Sequence, residues 1–196
     1  MNRNISFGIL IVLGFTGLSG GAFAHSGGAL PSPSFITGAL HVLSGFDHIL
    51  AMLAVGIWSS RHGARIERWM PVVFVVATVH GAVMASSGQA LPAAEIGTAA
   101  SVTILGLLLA ASLTLRLPVA FFLVAVFAVF HGFSHAESFA DDVNYADAGF
   151  GALAATVALQ AVGICLGRQI EKHQLPVLAR GVGIGCIIAG IVLLAS

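Results

Sequence analysis

Histidines with neighbouring carboxylates are the residues of this sequence whose types and spacing could do chemistry. His41 and His48 are seven positions apart, and Asp47 directly precedes the second imidazole. In one continuous helix this spacing puts both rings on one face, about 10 Å apart along the axis and too far apart for one ion. The pattern therefore predicts two successive stations on one path. Asp47 could either bind a metal or hold His48 in one tautomer.

A second group of such residues ends a later apolar run. His131 and His135 are four positions apart, a helical spacing that can present two imidazoles to one ion, and Glu137 follows. Because an ionisable side chain near the centre of a bilayer costs about 2.5–3.5 kcal/mol, such residues usually face the bundle interior and serve a function. We therefore predict a pathway of metal ligands formed by His41, Asp47, His48, His131, His135 and Glu137.

The remaining histidines are weaker candidates. His80, in another apolar run, and His25, near the N-terminus, are possible additional metal ligands. A single buried histidine is as often a hydrogen-bonded packing residue, and His25 could simply be solvated. We expect structural roles for His62 and His173, which lie in loops.

The composition places these residues in a lipid bilayer. Of the 196 residues 58% are hydrophobic and 8% are charged, whereas a soluble domain carries about a quarter charged residues. The net charge is zero and the basic residues form no large cluster, so nucleic acid is not an expected partner. Cys165 and Cys186 lack the spacing of a thiolate site and are expected to act as small hydrophobic residues.

The N-terminus has the pattern of a secretory signal peptide. Arg3 precedes a short apolar core, and Ala22-Phe23-Ala24 supplies a small-x-small cleavage site. We predict a signal peptide over 1–24, with an uncleaved signal anchor as the alternative, and a mature all-α transmembrane domain over 25–196. Runs of about 20 apolar residues can cross the bilayer as helices. The sequence predicts six of them, at 35–58, 69–86, 94–115, 118–137, 148–167 and 177–195.

The charges of the loops predict an orientation. The loops after the first, third and fifth runs, together with the start of the last run, hold every Lys and Arg beyond the signal peptide. The opposite loops hold Asp141, Asp142 and Asp147 instead. This distribution follows the positive-inside rule. It predicts a multi-pass protein of the inner membrane with both mature termini outside. In the last run, Gly181 and Gly185, with Gly190 beyond them, predict close helix packing.

Two strings of the sequence resemble the signature motifs of the HupE/UreJ family. They are His41…Gly45-Phe-Asp47-His48…Ala51-Met52…Val55-Gly56 and Phe130-His131-Gly132…His135-x-Glu137. The resemblance extends over the whole mature chain. It implies a nickel or cobalt permease associated with hydrogenase or urease maturation. Two positions depart from the family pattern, Val42 in place of proline and Ala136 in place of glycine.

The residues alone leave the function more open. Imidazole and carboxylate without thiolate suit divalent nickel, cobalt, zinc or copper, and the chain has no phosphate-binding loop for ATP. We expect a permease without enzymatic activity or a prosthetic group, whose metal is its cargo. One alternative is an intramembrane zinc-dependent hydrolase assisted by Ser44 or Ser134. Another is a membrane metallochaperone for hydrogenase or urease assembly. The metal, the coupling ion and the oligomeric state stay undetermined.

Overall fold

The computed structural model describes residues 35–139 and 144–195, which form helices and no strand. The predicted signal peptide, its cleavage site, His25, Asp141 and Asp142 lie outside the described residues. The helices are α1 (Phe35–Ser44), α2 (Phe46–Ser60), α3 (Ala64–Ser86), α4 (Ala94–Ala110), α5 (Leu117–Ser138), α6 (Tyr145–Lys172) and α7 (Pro176–Ala195).

The first predicted span is broken at Gly45, where α1 and α2 meet at an angle of 82°. Gly45 takes an extended backbone conformation, with φ −76° and ψ 111°, that interrupts the helix. A Cβ atom at this position would lie 2.7 Å from His48 Cδ2 and 3.1 Å from Asp47 Oδ1, so only glycine leaves room for the side chains that follow the bend. The prediction of one continuous helix over 35–58, with two histidines about 10 Å apart, is therefore wrong.

Four helices, α3, α5, α6 and α7, are long and apolar enough to cross a membrane, and the bent pair α1–α2 counts as a fifth if it is taken as one span. α4 is shorter than predicted: it ends at Ala110, and Ser112 has a φ of 56° where the chain turns away. Its 17 residues reach about 26 Å, somewhat less than the hydrocarbon thickness of about 30 Å. The six-span arrangement thus stays a prediction.

Glycines let the long helices approach closely. A Cβ atom on Gly81 would collide with the backbone of Val129, and one on Gly132 with the backbone of Thr78, which joins α3 to α5. Close approach through small residues is the usual basis of helix association in lipid, where burial of apolar surface gives little driving force. The register between α3 and α5 therefore depends on Gly132, inside the second histidine string.

The glycines that pack α7 differ in part from those predicted. A Cβ atom on Gly181 or Gly185 would meet none of the described residues within 4 Å, so these two glycines face open space. The contact with α4 is made by Gly190, as predicted, against Thr103, and by Gly183, against the backbone around Gly106. Close packing of this helix is therefore present, but on a different face from the one the spacing indicated.

The loops that carry the basic residues meet at one end of the bundle, here called the basic end. The Trp58 indole N–H donates to the Leu113 carbonyl at 2.9 Å, and the Leu115 amide N–H donates to His62 Nε2 at 3.1 Å. Arg61 pairs with Glu171 at 2.9 Å. An ion pair between Arg168 and Glu67 joins α6 to α3. The loops after α2, α4 and α6 therefore share one side, as the positive-inside distribution requires, and His62 has a structural role.

Reporter fusions test the orientation of this bundle. We expect fusions after Ser60 and after Gln174, at the basic end, to report a cytoplasmic location, and a fusion after Gln89 to report an external one. A phosphatase and a fluorescent-protein reporter at each position measure this from opposite sides. A cytoplasmic signal at Gln89 would contradict the predicted orientation.

A second prediction concerns the contact between α3 and α5. Gly132→Ala places a methyl group against the Thr78 backbone, and we expect it to destabilise the folded protein by about 1–3 kcal/mol. Thermal unfolding of the detergent-purified protein measures this loss. Gly185→Ala is the matched control, because its methyl group would enter open space. Equal melting temperatures for the two variants would refute the packing described here.

Candidate metal site

The bend at Gly45 brings three imidazoles together. The ring centroids of His41 and His48 lie 5.6 Å apart, and the His135 ring lies 5.3 Å from the first and 4.5 Å from the second. One nitrogen from each ring falls within 4.8 Å of the other two. Two nitrogens that bind one ion at about 2.1 Å are at most about 4.2 Å apart. Small side-chain rotations would therefore let these three rings, called the histidine triad below, hold one ion.

Helix ends position the triad. His41 lies in the last turn of α1, His48 in the first turn of α2, and His135 in the last turn of α5. His48 and His135 are buried and His41 is half-buried. The Phe139 ring lies 5.2 Å from the His41 ring and covers it. The triad is thus largely shielded from water at the end of the bundle opposite the basic end, here called the histidine end.

Asp47 lies beside the triad as a neighbour of one imidazole. Its Oδ2 atom is 3.4 Å from His48 Nδ1, and its side chain is 23% exposed. A carboxylate in the first turn of α2 interacts favourably with the positive end of the helix dipole. It is also placed to favour a proton on Nδ1, as carboxylates beside metal-binding histidines do. This geometry fits the orienting role better than direct binding.

His131 lies one step further into the bundle. Its ring centroid is 5.4 Å from that of His48, and it is 1% exposed. Its Nε2 atom is 3.0 Å from the Ser101 hydroxyl oxygen, and that hydroxyl donates its own proton to the Thr98 carbonyl at 2.6 Å. With that proton on the Thr98 carbonyl, the Ser101 oxygen is placed to accept from a protonated His131 Nε2. The Nδ1 lone pair then stays available, and it has no hydrogen-bond partner among the described residues.

Two candidates from the sequence lie apart from this group. Glu137 is exposed and borders a separate pocket of about 310 Å³ at the histidine end, together with Ser86 and Tyr145. His80 is exposed on α3. The structure thus brings together His41, His48, His131 and His135, with Asp47 alongside, and brings neither Glu137 nor His80 into the group.

The sequence interpretation missed the contribution of α4. Thr98 and Ser101 are buried polar residues of this helix, and the Ser101 hydroxyl forms a hydrogen bond with His131 Nε2. Two hydroxyl residues three positions apart, on one face of a helix, were the available signal. A crevice of about 220 Å³ with mainly apolar walls reaches His135 between α3, α5 and α6, so the triad has an opening on that side.

Comparisons with known proteins identify the family of this chain. The profile described as HupE / UreJ protein matches residues 13–193, which include all the histidines of the site. The chain is also similar to Protein HupE of Rhizobium leguminosarum bv. viciae, with 37% identity over 175 residues that cover 89% of this chain and 92% of that protein. No solved structure gave a significant match. With its apolar helices, the chain is a multi-pass membrane protein that belongs to the HupE/UreJ family.

Proposed function

We propose that this protein is an inner-membrane permease for uptake of a divalent transition metal, nickel or cobalt, and that the histidine triad is where the ion binds. The observation that carries the proposal is the approach of three ring nitrogens from α1, α2 and α5 within 4.8 Å of one another. Nothing in packing alone requires three polar rings from three helices to converge in a membrane protein, since burial of polar groups in lipid is costly.

The ligand chemistry supports this choice of metal. Imidazole nitrogens suit nickel, cobalt and zinc, and the triad contains no thiolate that would favour Cu(I). Membership of the HupE/UreJ family supports nickel or cobalt as the transported metal, for use in hydrogenase or urease maturation. The metal is cargo, and the protein needs no resident prosthetic group. The mature permease would comprise residues 25–196 after removal of a signal peptide over 1–24.

The path would run from the histidine end to the basic end. Under the predicted topology the histidine end faces outward, where exposed Glu137 and Asp147 can attract cations. The ion would pass from the triad towards His131, whose Nδ1 lone pair is available. Inward movement of two positive charges releases about 4.6 kcal/mol per 100 mV of membrane potential, which suffices for substantial accumulation.

The alternative of a zinc hydrolase finds less support at the two serines that could assist it. The Ser44 hydroxyl donates to the His41 carbonyl at 3.1 Å, and the Ser134 oxygen lies 3.4 Å from the Thr98 hydroxyl. Both hydroxyls are thus engaged in contacts within or between helices, which argues against a role as nucleophile in a zinc hydrolase. A metallochaperone would bind metal at the same triad without moving it across the bilayer, so uptake by the isolated protein distinguishes it from a permease.

Reconstituted protein provides the test of transport. Purified protein in sealed liposomes with an internal metal-sensitive dye should accumulate Ni²⁺ under an inside-negative potential. Because His48 contacts both other members of the triad, His48→Ala should lower uptake at least about a hundredfold, more than the loss of an orienting group. His173→Ala, an exposed position at the basic end, is the matched control and should transport normally.

The outcomes separate the three functions. Binding of nickel without uptake by the wild-type protein would favour a metallochaperone, and tightly held zinc with hydrolysis of a peptide or ester would favour an enzyme. Uptake by His48→Ala at the wild-type rate would exclude the triad as the binding site.

A further prediction concerns Asp47. Asp47→Asn keeps the shape of the side chain but removes the charge next to His48 Nδ1. We expect nickel affinity to fall about 10–100-fold, the usual effect of losing a carboxylate that orients a metal-binding histidine. Equilibrium dialysis of Ni²⁺ against the purified variant measures this. An unchanged affinity would show that the carboxylate does not support the site.

A further inference from the structure

Deeper than the triad, α2 and α6 bury a polar side chain that the metal site does not use. Gln160 is 0% exposed, and its Nε2 atom donates to the Met52 sulfur at 3.5 Å. Its Oε1 atom has no hydrogen-bond partner in the part of the chain that the structure describes. A buried amide oxygen without a partner costs about 1–3 kcal/mol. A leucine at this position would avoid that cost, so the packing of the helices does not explain the glutamine.

The position of Gln160 relates it to the triad. Met52 follows His48 by four positions on α2, so the two side chains share one face, with the sulfur about 6 Å deeper along the axis. Both Met52 and Gln160 are almost fully buried. The Gln160 amide therefore contacts α2 one turn further from the histidine end than the triad.

Close packing of α2 and α6 directs this side chain towards the triad. A Cβ atom on Gly56 would collide with the Gln160 carbonyl, so the two backbones touch at that level. Side chains on a helix lean towards its N-terminus. The N-terminal part of α6 lies at the histidine end, where Ala148 packs on Gly38 of α1. The Gln160 side chain accordingly leans from the level of Gly56 back to Met52 and towards His48.

We propose that the Gln160 side-chain oxygen, next to Met52, forms an inner binding position for the transported divalent cation between the triad and the basic end. This inference rests on the proposed uptake function. A single neutral amide oxygen binds a divalent ion more weakly than three imidazoles do. Weak binding suits a transfer position, because conduction requires an ion to enter a site readily and also to leave it.

A leucine substitution tests the amide oxygen. Gln160→Leu keeps the volume and removes the oxygen, and Gln169→Leu, at an exposed position on the same helix, is the matched control. In the same dye-containing liposomes, with Ni²⁺ supplied outside, we expect Gln160→Leu to lower the initial uptake rate about tenfold, equivalent to about 1.4 kcal/mol in the barrier. Equilibrium dialysis should show unchanged Ni²⁺ binding at the triad. If Gln160 only joins α2 to α6, uptake will stay within about twofold of wild type, and the proposal is then wrong.

A glutamate substitution at the same position should strengthen ion binding instead of weakening it. It also keeps a polar side chain, which provides a second test if the leucine variant does not fold. A carboxylate beside Met52 should convert the transfer position into a resting site. Gln160→Glu should then bind a second Ni²⁺ and transport it slowly, and binding of no additional ion would overturn the proposal. Wild-type protein that neither binds nor transports Ni²⁺ would instead contradict the proposed function, so the two failures are distinguishable.

Discussion

The break between α1 and α2 is the constraint on which the rest of the site depends. An uninterrupted helix would hold His41 and His48 about 10 Å apart, yet the bend of 82° brings their ring centroids to 5.6 Å. At the bend, Gly45 leaves room for the side chains of His48 and Asp47. α1 then lies against the N-terminal part of α6, where Gly38 and Gly151 let the backbones touch.

Two helices inside this bundle are short. α2 has 15 residues and α4 has 17, and both are shorter than the about 20 residues that a simple transmembrane helix needs. The loop after α4 is hydrogen-bonded to Trp58 of α2 and to His62, which follows that helix. Along the axis of α2, His48 lies only about 18 Å from Ser60, where this helix ends. In the proposed pathway, an ion that leaves the triad has a short distance to cross, along which Met52 and Gln160 are buried.

Much of the site could be predicted from the sequence, because ionisable residues in apolar runs are conspicuous. The bend could not be predicted, because glycine is common in membrane helices and the periodicity of the sequence does not reveal which glycine interrupts a helix. The separation of Glu137 from the triad could have been predicted. Two positions along a helix rotate a side chain by about 200° around the axis, which turns Glu137 away from His135. The packing face of α7 could not be predicted, because that helix is apolar on all sides and the sequence does not distinguish Gly183 from Gly181 and Gly185.

Nickel X-ray absorption spectroscopy of the purified, metal-loaded protein tests the central claim most directly, namely that imidazoles from three helices bind one ion. The account predicts three imidazole nitrogens at about 2.0–2.1 Å, with the multiple-scattering pattern of histidine rings, and loss of one of them in His135→Ala. A spectrum with only oxygen neighbours, unchanged by that substitution, would contradict it.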